Sequence, residues 1–354
     1  MKAFKIIRFQ IKNIKVLLAI LLIVSGCSIK NSHKISRGVY CWKTSFNLSQ
    51  REKQWLKNNS ITKIYLHYFD VNWNPALKEP VPVGRLTVIS KNTGNINITP
   101  VVFITNKTLL NIPGSSVKIL AGNIFDLVHD ISSSLNNSAI NEIQMDCDWT
   151  LSTKVKYFTL LNDLKKMCKN RGISLSATIR LHQVKYFKKT GVPPVDRGAL
   201  MFYNMTSVSD INTVNSIFNP DIAKKYLANF DKYPLKLDLI LPAFSWGVLF
   251  HKNKISGLIN DLQGSSLNKN KYFVKTKAEI FKAKKDIILN HYPVHKNDLI
   301  RIEEITPETT QLAARLIEPY IRNDSLVVSL FYLNKEVTKN YDKKEMEDIT
   351  DIFN

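Results

Sequence analysis

Residues 140–149 read Ile-Asn-Glu-Ile-Gln-Met-Asp-Cys-Asp-Trp. In an extended strand, side chains alternate between faces. Glu142, Gln144, Asp146 and Asp148 therefore line one side, and Ile143, Met145, Cys147 and Trp149 the other. Asp146 and Asp148 fall roughly 6–7 Å apart along such a strand. Two carboxylates that near, facing a dry pocket, raise one another's pKa, so one keeps its proton as a general acid while its neighbour stays ionised. Hydrolysis of a glycosidic bond needs that division of labour. The competing assignment is an ion-pair network in which Arg180 or a lysine neutralises both aspartates.

The elements that must present these acids alternate along the chain. Strand patterns fall at 38–46, 61–70, 98–105, 140–149, 173–182, 199–205, 235–244 and 325–333. Helical patterns fall at 49–59, 115–135, 153–170, 221–230 and 306–321, with Ser49 as an N-cap, Pro307 in a first turn and Gly172 as a stop. A longer connection at 71–97 is expected to hold a small hairpin around 85–90. Eight strands with helical or long crossovers predict an α/β fold, a (β/α)8 TIM-type barrel with an insertion between strands 7 and 8 at 247–297. An open doubly wound sheet competes, but no glycine-rich phosphate loop follows an early strand. The expected organisation is a leader at 1–26, a tether at 27–37, the barrel domain at 38–335 and a C-terminal tail at 336–354.

Barrel sites sit at the C-terminal strand ends. There the chain places Trp42 on the first strand, Asp70 and Trp73 on the second, and Asn106 after the third. Asp146, Asp148 and Trp149 follow on the fourth, Arg180, His182 and Gln183 on the fifth, Tyr203 and Asn204 on the sixth, and Trp246 past the seventh. Carboxylates with aromatic, amide and basic groups suit carbohydrate: rings stack on sugars, polar groups bind hydroxyls and acids move protons. Arg180, His182, Asn204, Trp246, Asp70 and Trp42 are the expected binding residues. Three of these have a bland alternative: Arg180 holds Asp146 in place, His182 is a structural hydrogen bonder, and Trp246, like Trp73, packs the rim. Asp196-Arg197, in the proline-bounded loop after strand five, either closes over substrate or fixes the loop as a salt bridge.

The runs Gln144-Met145-Asp146-Cys147-Asp148-Trp149 and Met201-Phe202-Tyr203-Asn204 resemble the chitinase-type glycoside hydrolases, which carry D-x-D-x-E on strand four and M-x-Y-D on strand six. The resemblance implies Asp148 as the acid, Asp146 as its substrate-orienting partner and Tyr203 as the helper. Asp148 stands where that family has glutamate, Asn204 where it has aspartate, and residues 100–106 lack its glycine pair. Over nearly the whole length after the leader, the chain is similar to a group of uncharacterised bacterial lipoproteins with predicted glycosidase-like barrels. That likeness rests on residues 142–149, 177–183, 191–198 and 241–247.

Lys2, Lys5, Arg8, Lys12 and Lys15 precede an apolar run at 16–24 that ends in Ser25-Gly26-Cys27. The run is short for a membrane span, which points to a cleaved leader. Val24-Ser25-Gly26-Cys27 resembles the bacterial lipobox, implying a diacylated Cys27 as the new N-terminus and a membrane partner through that lipid. Ser28 after it, by the enterobacterial sorting rule, implies the outer membrane.

The formal charge is +21, and loss of residues 1–26 removes five basic and no acidic residues, leaving +16. Nucleic acid, an anionic membrane surface or an acidic polymer would each fit such a charge. AT-rich coding also fits, since Lys, Asn and Ile are abundant and the lysines scattered. No aromatic-and-basic motif accompanies the charge, so nucleic acid is not an expected partner. Cys41, Cys147 and Cys168 have no C-x-x-C or histidine spacing and are expected as buried free thiols. His251, His291 and His295 lack ligand spacing, so neither metal nor other cofactor is expected. The functional expectation is a lipid-anchored cell-envelope protein, a possible O-glycosyl hydrolase, acting on or binding a glycan at the C-terminal face. The alternative is a noncatalytic glycan-binding or envelope-assembly lipoprotein.

Overall fold

The computed structural model describes residues 34–89, 96–135, 140–228 and 230–354. The leader and Cys27 lie outside the described residues. Eight parallel strands run in the order β1 (Lys34–Cys41), β2 (Ile61–Asn74), β3 (Asn97–Ile104), β4 (Glu142–Asp146), β5 (Ser174–Arg180), β6 (Arg197–Met201), β7 (Leu237–Pro242) and β8 (Ser325–Phe331). β1 pairs with both β2 and β8, so the sheet closes into the expected barrel. At that seam, an added Cβ on Gly38 would come 2.5 Å from Ser329 Oγ, so a side chain there would have to displace the Ser329 hydroxyl.

The helices form where the apolar spacing put them. Val117–Ser134 buries Leu120, Ala121, Ile124, Val128 and Ile131, while Lys154–Lys169 buries Tyr157, Leu160, Leu161, Leu164 and Cys168. Ser49 accepts from Glu52 N, and Glu52 Oε2 accepts from Ser49 N at 2.8 Å, which makes a full capping box for Gln50–Asn58. Thr306 caps Pro307–Ile317, and Gly172 takes φ +67° after Lys154–Lys169.

Four boundaries differ from expectation. β1 begins at Lys34, so residues 34–37 are barrel, not tether: their backbone pairs with Ser325–Val328. The connection after β2 forms its antiparallel arm at Glu79–Val83, earlier than 85–90, because β2 runs on to Asn74 and supplies the edge. Residues 336–354 are not a loose tail. Helices Lys335–Asn340 and Lys343–Thr350 bury Val337, Met346 and Ile349, the flanking Tyr341 and Phe353 are buried with them, and Trp55 Nε1 donates to Tyr341 O at 2.5 Å. The insertion is mostly antiparallel β structure. Its five-stranded sheet spans Trp246–His251 to Leu299–Glu303 and has a core of its own around Leu249, Ile259, Phe281, Ile300 and Ile302.

Arg301 and Glu303 tie that sheet to the loop after β6. Glu303 Oε1 accepts from Arg301 Nε at 2.8 Å, and its Oε2 accepts from Ser216 N at 2.7 Å, Ser216 Oγ at 2.6 Å and Trp246 Nε1 at 3.0 Å. Such a buried pair holds only because its remaining donors and acceptors are met. Among the described residues no helix is long and apolar enough to cross a membrane.

Candidate functional site

The polar face of β4 points into the barrel. Its deepest members make an internal network: Lys63 Nζ donates to Glu142 Oε2 at 2.6 Å, Ser176 Oγ to Glu142 Oε1 at 2.6 Å, Gln144 Nε2 to Ser176 Oγ at 3.2 Å, and Tyr40 OH to Gln144 Oε1 at 2.7 Å. Tyr40 and Tyr65 stack beside it at 4.5 Å. Glu142 and Gln144 therefore fill a polar layer, and their satisfied bonds stabilise it.

One residue pair higher, the strand reaches the C-terminal mouth. Asp146 is 9% exposed, and Thr178 Oγ1 donates to its Oδ1 at 2.5 Å. Burial, with the neighbouring Asp148 adding to it, pushes its carboxyl up to about 6, against the Thr178 bond and the Arg180 charge. Asp148 takes a different partner. Arg180 Nε donates to its Oδ1 and Arg180 Nη2 to its Oδ2 at 2.6 Å, a two-pronged ion pair. Burial alone would lower the Arg180 pKa, yet the Asp148 bonds outweigh it and the net shift is upward. Asn106 Nδ2 donates to Asp148 O and its Oδ1 accepts from Thr153 Oγ1 at 2.8 Å, which fixes the turn carrying Asp148.

Tyr203 is buried at the end of β6, stacked on Phe331 at 5.2 Å and edge-on to Phe244 at 5.6 Å. Burial, then Asp146, holds its hydroxyl well above the ordinary phenol range. Asn204 follows in a left-handed backbone conformation, φ +55°, which asparagine tolerates. Its Oδ1 is buried with no hydrogen-bond partner among the described residues.

The near wall is aromatic. Half-buried Trp42 packs against His67 at 4.7 Å and Phe331 at 5.8 Å, and His67 Nε2 contacts Asp70 Oδ1 at 2.7 Å. His182 is exposed in the short helix Leu181–Lys185 after β5, where partial desolvation and then Arg180 lower its pKa. Asp146, Asp148, Tyr203, Arg180, His182, Asn204, Asp70 and Trp42 thus all lie at this one end of the barrel.

Other residues lie elsewhere or are otherwise engaged. Trp246 is only 8% exposed, with its indole N–H bonded to Glu303 and its ring against Phe244, so it packs the root of the insertion. Trp149 is buried against Tyr157, and its Nε1 donates to Thr190 O at 3.2 Å. Asp196 and Arg197 stand at the opposite, N-terminal end, because Arg197 opens β6. Arg197 pairs with Asp238, and Asp196 Oδ2 accepts from Leu175 N at 2.9 Å. They cannot close over the mouth. Sequence reasoning missed Thr178, His67 and Phe331; the period-2 spacing of Thr178 with Arg180 on β5 was the available signal for the first.

Cys41, Cys147 and Cys168 are buried free thiols, and burial pushes Cys41 and Cys168 up to about 12. Among the described residues no group of His, Cys, Asp and Glu is arranged to hold a metal.

No protein-family model matches the chain, and no curated protein matches it. Solved structures do share its fold. The spore cortex-lytic enzyme SleL of Bacillus megaterium is 11% identical with a TM-score of 0.54, covering 89% of this chain and 74% of that one. The chitinase ChiB of Flavobacterium johnsoniae, of glycoside hydrolase family 18, is 14% identical at 0.53, covering 91% and 94%. A chitinase of Chromobacterium violaceum is 10% identical at 0.51, covering 90% and 98%. The chain has the closed (β/α)8 barrel seen in these chitinases and in SleL.

Proposed function

We propose that the protein is a lipid-anchored envelope protein that binds a glycan at the C-terminal mouth of its barrel without cleaving it through Asp148. The two-pronged bond from Arg180 carries this reading. A general acid must present a proton to the glycosidic oxygen. Both oxygens of Asp148 instead accept from one guanidinium, and an aspartate reaches a methylene less far than a glutamate. The mouth retains what binding needs: the half-buried face of Trp42 beside His67, and Asp70, Arg180, His182 and Asn204 as polar partners. Fold neighbours named as chitinases and as a cortex-lytic enzyme make polymers of N-acetyl sugars the first ligands to try.

The test is to incubate the protein with chitin, peptidoglycan and host-type glycans, following both cosedimentation and release of reducing ends. Cosedimentation with no release is expected. A second reading, hydrolysis, is favoured by one observation: Asp146, with its carboxyl near 6 and Tyr203 close by, is able to carry a proton at mildly acidic pH. Release of reducing ends that Asp146→Asn abolishes would establish it instead.

The anchor rests on the basic, apolar and small-residue succession ending at Cys27. Mass spectrometry of the N-terminal peptide is expected to find a diacylated Cys27, and Cys27→Ser to move the protein from the outer-membrane to the soluble fraction. An unmodified N-terminal peptide on membrane-bound protein would contradict the anchor.

A further inference from the structure

Three segments at the C-terminal end of the barrel run outward from the Asp148–Arg180 pair: residues 105–112 after β3, 150–158 after β4 and 181–191 after β5. Asn106 joins the first two, since its side chain bonds both Asp148 O and Thr153 Oγ1. The third begins where β5 ends at Arg180, whose N donates to Gln183 Oε1 at 2.8 Å. Further bonds link the three into one arc of the rim. Lys154 Nζ donates to Lys189 O at 3.2 Å, and Lys156 Nζ donates to Ile112 O at 2.7 Å and to Leu110 O at 3.0 Å.

The arc holds Lys107, Lys154, Lys156, Lys185, Lys188 and Lys189, and no aspartate or glutamate. None of the six is in an ion pair among the described residues. Lys154 and Lys156 are held by neutral carbonyls, which orient each ammonium group without cancelling its charge, and Lys185 Nζ lies over the Tyr186 ring at 5.3 Å. Lys107, Lys188 and Lys189 are exposed. Across the mouth, between β7 and β8, residues 303–308 show the reverse, with Glu303, Glu304 and Glu308 and no base. The basic arc is therefore more than the chain's general excess of lysine. A rim of one sign beside a cleft raises the local concentration of the opposite charge.

We propose that the glycan bound at the mouth is an acidic one, whose anionic groups lie along this arc while a sugar ring sits beside Trp42. The inference rests on the glycan reading of the mouth and adds the chemical class of the ligand. Lysine ammonium groups act as point charges, so a carboxylate and a phosphate share this chemistry. A polyanion without sugars would meet the lysines and leave the aromatic wall unused.

Titration calorimetry on the protein without its leader, at low and at raised ionic strength, tests the proposal with oligosaccharides of one length. The probes are a chitin oligomer, a hyaluronan oligomer, in which a uronic acid alternates with N-acetylglucosamine, and a phosphorylated mannan fragment. At low salt, one or both acidic oligomers should bind about tenfold or more tightly than the chitin oligomer, and added salt should shrink the margin. The tighter of the two identifies the anionic group. Lys107→Gln/Lys188→Gln/Lys189→Gln, at exposed positions that the fold tolerates, should weaken acidic binding by about tenfold, the effect of three exposed ion pairs, and leave chitin binding unchanged. Lys57→Gln/Lys169→Gln/Lys236→Gln removes the same charge from the opposite, N-terminal end and should change neither. Equal affinity for neutral and acidic oligomers, or equal losses in the two variants, would overturn the inference and leave the glycan reading standing. Polyglutamate binding as tightly as the better acidic oligomer would overturn it as well, since the arc would then be a general polyanion surface. No binding of any oligosaccharide would overturn both.

Discussion

The barrel carries two two-pronged Arg–Asp pairs, one at each end, and they differ in what surrounds them. At the N-terminal end, Arg197 Nε and Nη2 donate to Asp238 at 2.6 and 2.7 Å, Val327 N adds a bond to Asp238 Oδ1 at 2.7 Å, and Arg197 Nη2 also reaches Ser325 O. The Asp238 side chain is 6% exposed, and every bond ties β6, β7 and β8 together. At the C-terminal end, Arg180 grips Asp148 with the same fork. There the aspartate side chain is 40% exposed, and the neighbours are Asp146, His182 and Tyr203, not backbone. The same chemistry is a seam in one place and a solvent-facing surface in the other, and the burial of the aspartate separates them.

Breaking each pair should separate those roles. Asp238→Ala removes a buried carboxylate that accepts from Val327 N as well as from Arg197, and should lower the unfolding free energy from denaturant titration by about 3–5 kcal/mol. Asp148→Ala removes a carboxylate that is 40% exposed and reached by solvent, so it should cost less, about 1 kcal/mol, while weakening glycan binding. Equal destabilisation by the two would mean that the mouth pair is structural as well.

Asp146 sharpens the same contrast through pH. Its folded pKa, about 6, lies above the ordinary value of 3.8, so the folded state holds the proton more tightly than the unfolded chain. The sign follows: the burial penalty is absent below about pH 4, grows as pH rises through about 6, and reaches at most about 3 kcal/mol above that. Asp146→Asn should therefore flatten the fall in stability between pH 4 and 7. It should also raise the denaturation midpoint at pH 7.5, since an amide still accepts from Thr178. An unchanged pH profile would show Asp146 to be solvated. The smallest expected effect is chemical: Cys41, Cys147 and Cys168, all buried, should resist a thiol reagent in the folded protein and react on unfolding.

The barrel itself was legible because eight β-rich runs alternated with amphipathic ones, and because Gly172, Pro307 and Ser49 marked helix ends by local chemistry. The acidic face of β4 was legible from period-2 alternation. The partners of those acids were not. That Arg180 binds Asp148, not Asp146, depends on where β5 ends relative to β4, which strand register fixes and spacing along the chain does not. Trp246 was expected at the ligand because it follows β7, yet Glu303, 57 residues later, claims its indole N–H. Likewise 336–354 read as a tail because its short helices bury residues only against elements far away in sequence, such as Trp55 and Thr310.

The measurement closest to the central claim follows an N-acetylglucosamine oligomer with the unaltered protein and with Asp148→Asn, recording binding by calorimetry and cleavage by reducing-end release. Binding by the unaltered protein, no cleavage by either, and weaker binding by Asp148→Asn is the expected result. Cleavage by the unaltered protein that Asp148→Asn abolishes would contradict it.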